Sequence, residues 1–207
     1  MALPPHQEYL TEAQYLAYED ESDLRHEYAN GQIIAMTGAS WTHNLICVNT
    51  STSLNVQLMN KNCRVTSGDL RLKVSSRRHY RYLDVMVICG EPQFVANRVD
   101  TISNPVVVIE VLSESTALTD RNDKLEEYLQ VDSVQEYVLI SQSEPRIERY
   151  LRQTAGDTSG EASGDWLYSH ASGLQNSIDL PSIGCTLALA DVYNKVDLSA
   201  EQAPPDA

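Results

Sequence analysis

Several things are scarce in this sequence, and each shortage narrows what the chain does. No apolar stretch approaches the roughly 20 residues that span a bilayer, so a helical membrane span is not expected. The opening MALPPHQEYL has neither the basic start nor the apolar stretch of a secretory signal, which makes the cytoplasm the expected compartment. Cys47, Cys63, Cys89 and Cys185 are scattered, with no C-x-x-C pair and no matching histidine spacing for zinc. Free, reduced, mostly buried thiols are the expectation. The glycine patterns G-x-G-x-x-G and G-x-x-x-x-G-K-[ST] are missing, which argues against a doubly wound nucleotide-binding enzyme. There is no G-x-S-x-G elbow and the histidines are isolated, so covalent catalysis is not expected either.

Positive charge is also short: 15 Lys and Arg face 29 Asp and Glu, a net charge of −14. Such a surface repels polyanions, so a phosphate-binding role needs a local basic patch or a bound cation. One candidate patch is present, RLKVSSRRHYR, with Arg71, Lys73, Arg77, Arg78 and Arg81. Its alternative is a solvated hairpin with charged edges.

What is present suits one α/β domain over residues 1–196, with residues 197–207 as a frayed tail. Thr11 followed by Gln14 predicts a capped helix to about Asp20, stapled by Leu10 and Tyr15. Asn30-Gly31 between strand-like runs predicts a hairpin with a type I′ turn. A long helix over Trp41–Asn60 is predicted, capped by Ser40, with Leu45, Val48, Val56 and Met59 as its apolar spacing. CRVTSGDLRLKVS reads as a strand region that puts Asp69, Arg71 and Lys73 on one face, where a salt bridge is the simple use of Asp69. STALTDRNDKLEEYLQ predicts a helix with Thr119 as its cap and Leu125, Tyr128 and Leu129 toward the core. VQEYVLIS and RIERYL are predicted strands joined at SEP. The stretch from Thr154 to Asp165 reads as a mobile loop, and WLYSHAS and IGCTLALADVY as late strands or a closing helix.

Two acids stand inside apolar strands: Asp84 in YLDVMVIC and Glu110 in NPVVVIEVLSEST. A buried, unpaired carboxylate costs several kcal/mol, a large share of a domain's net stability. A shared divalent cation offsets both, because Mg²⁺ takes one or two protein carboxylates and fills its other positions with water and phosphate oxygens. The alternative for each acid is a partly wet strand end or a set of backbone N–H donors.

The blocks YLDVMVIC, VVVIEVLSEST and DRNDKLEEY resemble the Uma family of restriction endonucleases, a branch of the PD-(D/E)XK nuclease superfamily. HEYANGQIIAM, THN and VQEYVLIS extend the likeness to about Tyr150. The resemblance implies a restriction-endonuclease-like core, a central mixed β-sheet flanked by α-helices. It also implies metal-dependent hydrolysis of nucleic acid, DNA in the first instance, with Mg²⁺ or Mn²⁺ held by Asp84, Glu110 and the Val111 carbonyl. Asp84 matches the aspartate of the first motif and Glu110 the glutamate of the second. Leu83 replaces the usual proline before the aspartate. Leu112 stands where a lysine is expected, and Lys124 on the following helix fits the lysine's role. Glu27 matches a recurring acid, as a third ligand or a partner for Lys124, and His43 is a candidate contact to phosphate or water. The bland alternatives are an exposed Asp120–Lys124 ion pair, a solvent-facing Glu27 and a packing role for His43. Two sites paired in a homodimer are implied for double-strand cleavage. The rival function is a catalytically inactive nuclease fold that serves as a nucleic-acid or protein interaction module.

Overall fold

Thr11 opens the first helix, α1 (Glu12–Glu21): its hydroxyl accepts from the Gln14 amide while the Gln14 side chain accepts from the Thr11 amide. Leu10 and Tyr15 meet in the same small core, where the Tyr15 ring stacks on Tyr28 with centroids 4.8 Å apart and Tyr80 closes the cluster. The computed structural model describes residues 9–36, 38–74, 78–95, 98–113, 120–154 and 162–198. β1 (His26–Ala29) and β2 (Gln32–Ala35) pair through the two-residue turn Asn30-Gly31. Both turn residues have positive φ, 49° and 93°, as a type I′ turn demands. β5 (His79–Tyr82), β4 (Arg71–Val74) and β7 (Thr101–Ile102) complete a five-stranded sheet in the order β2-β1-β5-β4-β7.

The larger sheet has six strands. β3 (Cys63–Ser67), β6 (Val85–Cys89), β8 (Val107–Leu112), β9 (Glu136–Ser141), β10 (Arg146–Thr154) and β11 (Ala162–Ser172) stand in the order β11-β10-β9-β8-β6-β3. Only β8 and β9 are parallel, so the sheet is mixed. All six residues of β8 are buried because both faces are covered. On one face Val85, Val87, Val107, Ile109 and Val138 pack under α2 (Trp41–Leu58), the β12–β13 hairpin (Ser177–Leu180, Cys185–Ala188) and α4 (Leu189–Val192). On the other, Met86, Val108, Leu112 and Leu139 pack with Leu72 of β4 and with Tyr128 of α3 (Leu125–Leu129), which a π-helical turn at Asp120–Lys124 precedes. The fold is α/β, a mixed sheet flanked by helices. Among the described residues no helix is long and apolar enough to cross a membrane.

Three expectations need correction. Ser40 caps α2 as predicted, but the buried row is Thr42, Ile46, Thr50, Leu54 and Leu58, while Val48, Val56 and Met59 are 61%, 61% and 74% exposed. Apolar residues surround this helix, so periodicity alone does not choose the face; the i, i+4 row through the small Thr50 is the one that meets the sheet. Cys63 and Cys89 are not free thiols: they stand directly opposite on antiparallel β3 and β6 and form a disulfide, which leaves Cys47 and Cys185 free. In the stretch read as a loop from Thr154 to Asp165, the described residues are strand: Thr154 ends β10 and residues 162–165 open β11. Residues 155–161 lie outside the described residues, as do 199–207 of the expected tail and Thr119 at the expected helix cap.

Candidate active site

Asp84 sits in the bend just before β6. The antiparallel register of β6 and β8 pairs Val85 with Ile109, so its continuation sets Asp84 opposite Glu110. The Asp84 carboxylate accepts from the Val111 amide at 2.7 Å and lies 3.1 Å from His43 Nε2. His43 occupies the first turn of α2, where its amide donates to the Ser40 cap. Ser40 in turn donates to Gln142, and Gln142 donates to the Leu112 carbonyl at 3.1 Å, so the start of α2 is tied to the end of β8. One helical turn beyond His43, Cys47 places its sulfur 3.5 Å from His43 Nδ1. Burial, and then the charges of Asp84 and Glu110, push the Cys47 thiol well above the ordinary range, which disfavours it as a free nucleophile. His43, Cys47 and Asp84 together offer three ligand atoms within 4.8 Å of one another.

Glu110 reaches into a buried polar cluster. Tyr128 donates to it at 2.8 Å and the Lys124 ammonium at 3.1 Å. Lys124 also lies 3.6 Å from Glu27 on β1. Arg81 on β5 reaches the other Glu27 oxygen at 2.7 Å and grips Glu127 of α3 with two hydrogen bonds, 2.7 and 2.9 Å. His79 stands 2.9 Å from the same Glu127. Burial alone would raise the Glu127 carboxyl, but its contacts with His79 and Arg81 outweigh burial and bring it down to about 2. For Arg81 burial acts downward, and the hydrogen bond to Glu127 with the charges of both glutamates reverses it, so the guanidinium is held above its ordinary value.

The structure therefore gathers Asp84, Glu110, Lys124, Glu27 and His43 at one end of β6 and β8, and of the basic run it brings Arg81 against Glu27. That run is a correction. Arg71 is 1% exposed and paired with Asp100, Lys73 pairs with Glu12 at 2.8 Å, and Arg81 is committed to two glutamates. Among the described residues these three side chains are taken up by acids, and Arg78 alone of the run is exposed; Arg77 lies outside the described residues. Glu27 is buried rather than solvent-facing, and Asp69 pairs with Arg25 at 3.4 Å rather than with Arg71 or Lys73. Sequence reasoning missed Cys47, Glu127 and Tyr128 at the site. Their signal was helical spacing: Cys47 is four residues beyond His43, and Glu127 and Tyr128 are three and four beyond Lys124.

Charge shows what the arrangement can take. Asp84, Glu27, Glu110 and Glu127 carry four negative charges and Arg81 and Lys124 two positive, a difference of −2 with the histidines counted as neutral. Among the described residues Glu27 Oε1 is buried without a hydrogen-bond donor. A divalent cation would offset that excess.

Comparison with known proteins agrees with this geometry. Residues 12–181 match the model of the Uma2 family, described as "Putative restriction endonuclease". The uncharacterized protein sll1609 of Synechocystis is 38% identical over 148 residues, 72% of this chain and 82% of that protein. A second Synechocystis protein, slr1290, also uncharacterized, is 32% identical over 184 residues, 89% of this chain and 91% of that one. The crystal structure of "a putative nuclease belonging to DUF820" from Anabaena variabilis shares the fold, with a TM-score of 0.70 at 18% identity, covering 89% of this chain and 97% of that one. The extent of the family match, the mixed sheet and the position of Asp84 opposite Glu110 agree: the chain belongs to the Uma2 family, within the PD-(D/E)XK-like nuclease superfamily.

Proposed function

We propose that this protein is a metal-dependent nuclease that hydrolyses phosphodiester bonds of nucleic acid, DNA in the first instance. The observation that carries the reading is the Lys124 ammonium 3.1 Å from Glu110, on the strand position that continues the register to Asp84. It supports a helix-borne lysine in the role that Leu112 cannot fill. Asp84 and Glu110, with the Val111 carbonyl, would hold Mg²⁺ or Mn²⁺. When bound, such an ion supplies Lewis acidity toward the scissile phosphate and lowers the pKa of the attacking water. Lys124 orients that water or offsets negative charge on the phosphate oxygens. Glu27 and Tyr128 fix Lys124 and Glu110 in place, and His43 holds the Asp84 carboxylate from the α2 side.

One observation favours the rival interaction module: Lys124 is already engaged by two carboxylates. Duplex and single-stranded DNA and RNA, incubated with Mg²⁺ or Mn²⁺, separate the two. Cleavage by wild type that is lost in Glu110→Gln supports the nuclease. Equal cleavage by both proteins sinks this site assignment. Asp84-dependent metal binding with no cleavage of any substrate favours the module.

A further inference from the structure

The geometry points to a mixed nitrogen, sulfur and oxygen metal site, His43, Cys47 and Asp84, that binds a borderline ion such as Zn²⁺ or Co²⁺ ahead of Mg²⁺. The inference rests on the reading of Asp84 as a metal ligand, and it adds two ligands from α2. His43 and Cys47 are four residues apart on one helix, so both side chains lie on the same face, one turn above the other. That face looks onto Asp84. The imidazole bridges the other two groups, Nε2 at 3.1 Å from the carboxylate and Nδ1 at 3.5 Å from the sulfur. One ligand atom from each residue falls within a 4.8 Å span. Bonds of about 2.0–2.3 Å to a tetrahedral ion set donors roughly 3.3–3.7 Å apart, so the 4.8 Å span has to contract by about 1 Å as the ion binds. The ion replaces one of the two imidazole contacts and the S–H proton, which leaves to solvent.

Ligand type decides which ion gains. Mg²⁺ is hard and gains little from sulfur or imidazole, whereas thiolate and imidazole both suit zinc and its neighbours. Thiophilic ions would therefore compete with Mg²⁺ for Asp84.

Cobalt makes the sulfur visible. The full chain is titrated with Co²⁺ under argon without reductant, so that Cys63 and Cys89 stay joined and Cys47 and Cys185 alone carry thiols. A sulfur-to-cobalt charge-transfer band in the near ultraviolet is expected in wild type and in Cys185→Ser, and its loss is expected in Cys47→Ser. By calorimetry, Cys47→Ser should weaken Co²⁺ binding at least about tenfold and leave Mg²⁺ affinity within about twofold. A band that survives in Cys47→Ser overturns the proposal. So does Asp84-dependent Co²⁺ binding without any sulfur band, a result that leaves the nuclease reading intact. No Asp84-dependent binding of Co²⁺ or Mg²⁺ overturns both.

Discussion

Replacing Arg81 by methionine is the sharpest test of how the site is supported. The side chain is 4% exposed, and its guanidinium serves Glu27 at 2.7 Å and Glu127 at 2.7 and 2.9 Å. Methionine keeps the bulk of the stem and removes the charge, so two buried carboxylates lose their shared partner. Breaking a buried pair from one side costs about 3–5 kcal/mol, because the remaining charge is left uncompensated. Here each acid retains one neighbour, Lys124 for Glu27 and His79 for Glu127, which places the expected loss near the lower end, about 3 kcal/mol. Against a net stability of about 5–15 kcal/mol that is a large shift in the urea midpoint, with the slope unchanged. Adding Glu127→Gln to Arg81→Met should restore about 1–2 kcal/mol, since it removes one of the stranded charges. A loss below about 1 kcal/mol in Arg81→Met would refute the buried network. If that small loss came with weakened DNA binding, Arg81 would be a phosphate contact after all.

Other outcomes follow from the same geometry. Glu127 titrates at about 2 in the fold against 4.5 for an unperturbed glutamate. A lowered carboxyl pKa means that its stabilisation is complete above pH 4.5 and is lost as pH falls toward about 2. Its size is on the order of 3 kcal/mol, and urea unfolding across that window should show a shallower pH dependence in Glu127→Gln than in wild type. Lys124→Met should retain divalent-ion binding by calorimetry and cut turnover by about 10²-fold or more; unchanged turnover would make Lys124 purely a partner of Glu110. Under denaturing, non-reducing conditions two of the four cysteines should react with a thiol reagent. Reduction of Cys63–Cys89, which are 26 residues apart, should cost about 3 kcal/mol, and four reactive thiols before reduction would contradict the pairing.

What could be read from the sequence was set by local chemistry. The Thr11 cap, the Asn30-Gly31 turn and the doubly covered β8 each depend on residues a few positions apart, and all three are found in the fold. Asp84 and Glu110 were legible because acids in apolar strands are costly enough to be conspicuous. The face of α2 was not legible: apolar residues encircle it, and the choice belongs to the sheet beneath. Cys63 and Cys89 meet only through the β3–β6 register, which no spacing rule encodes. The basic run misled for a related reason. Charge density along a chain says nothing about depth, and Arg71 and Arg81 were buried by strands whose partners, Asp100, Glu27 and Glu127, lie far off in sequence.

The burial of those arginines changes how a chain of net charge −14 can approach a phosphate backbone. Arg71, Lys73, Arg81 and Lys124 all pair with acids of the same chain, so their charge is cancelled at short range and contributes little to the outer field. A protein that gripped nucleic acid by surface lysines and arginines would lose affinity steeply with salt as counterions are released. Here the local arrangement is four carboxylates against two cations, Arg81 and Lys124, which favours a cation before it can favour an anion. On the proposed reading, a divalent ion held by Asp84 and Glu110 would cancel the local excess of two negative charges where a phosphate would sit, while the rest of the surface stays repulsive. The same acids that oppose general binding of polyanions would then confine binding to the neighbourhood of that ion.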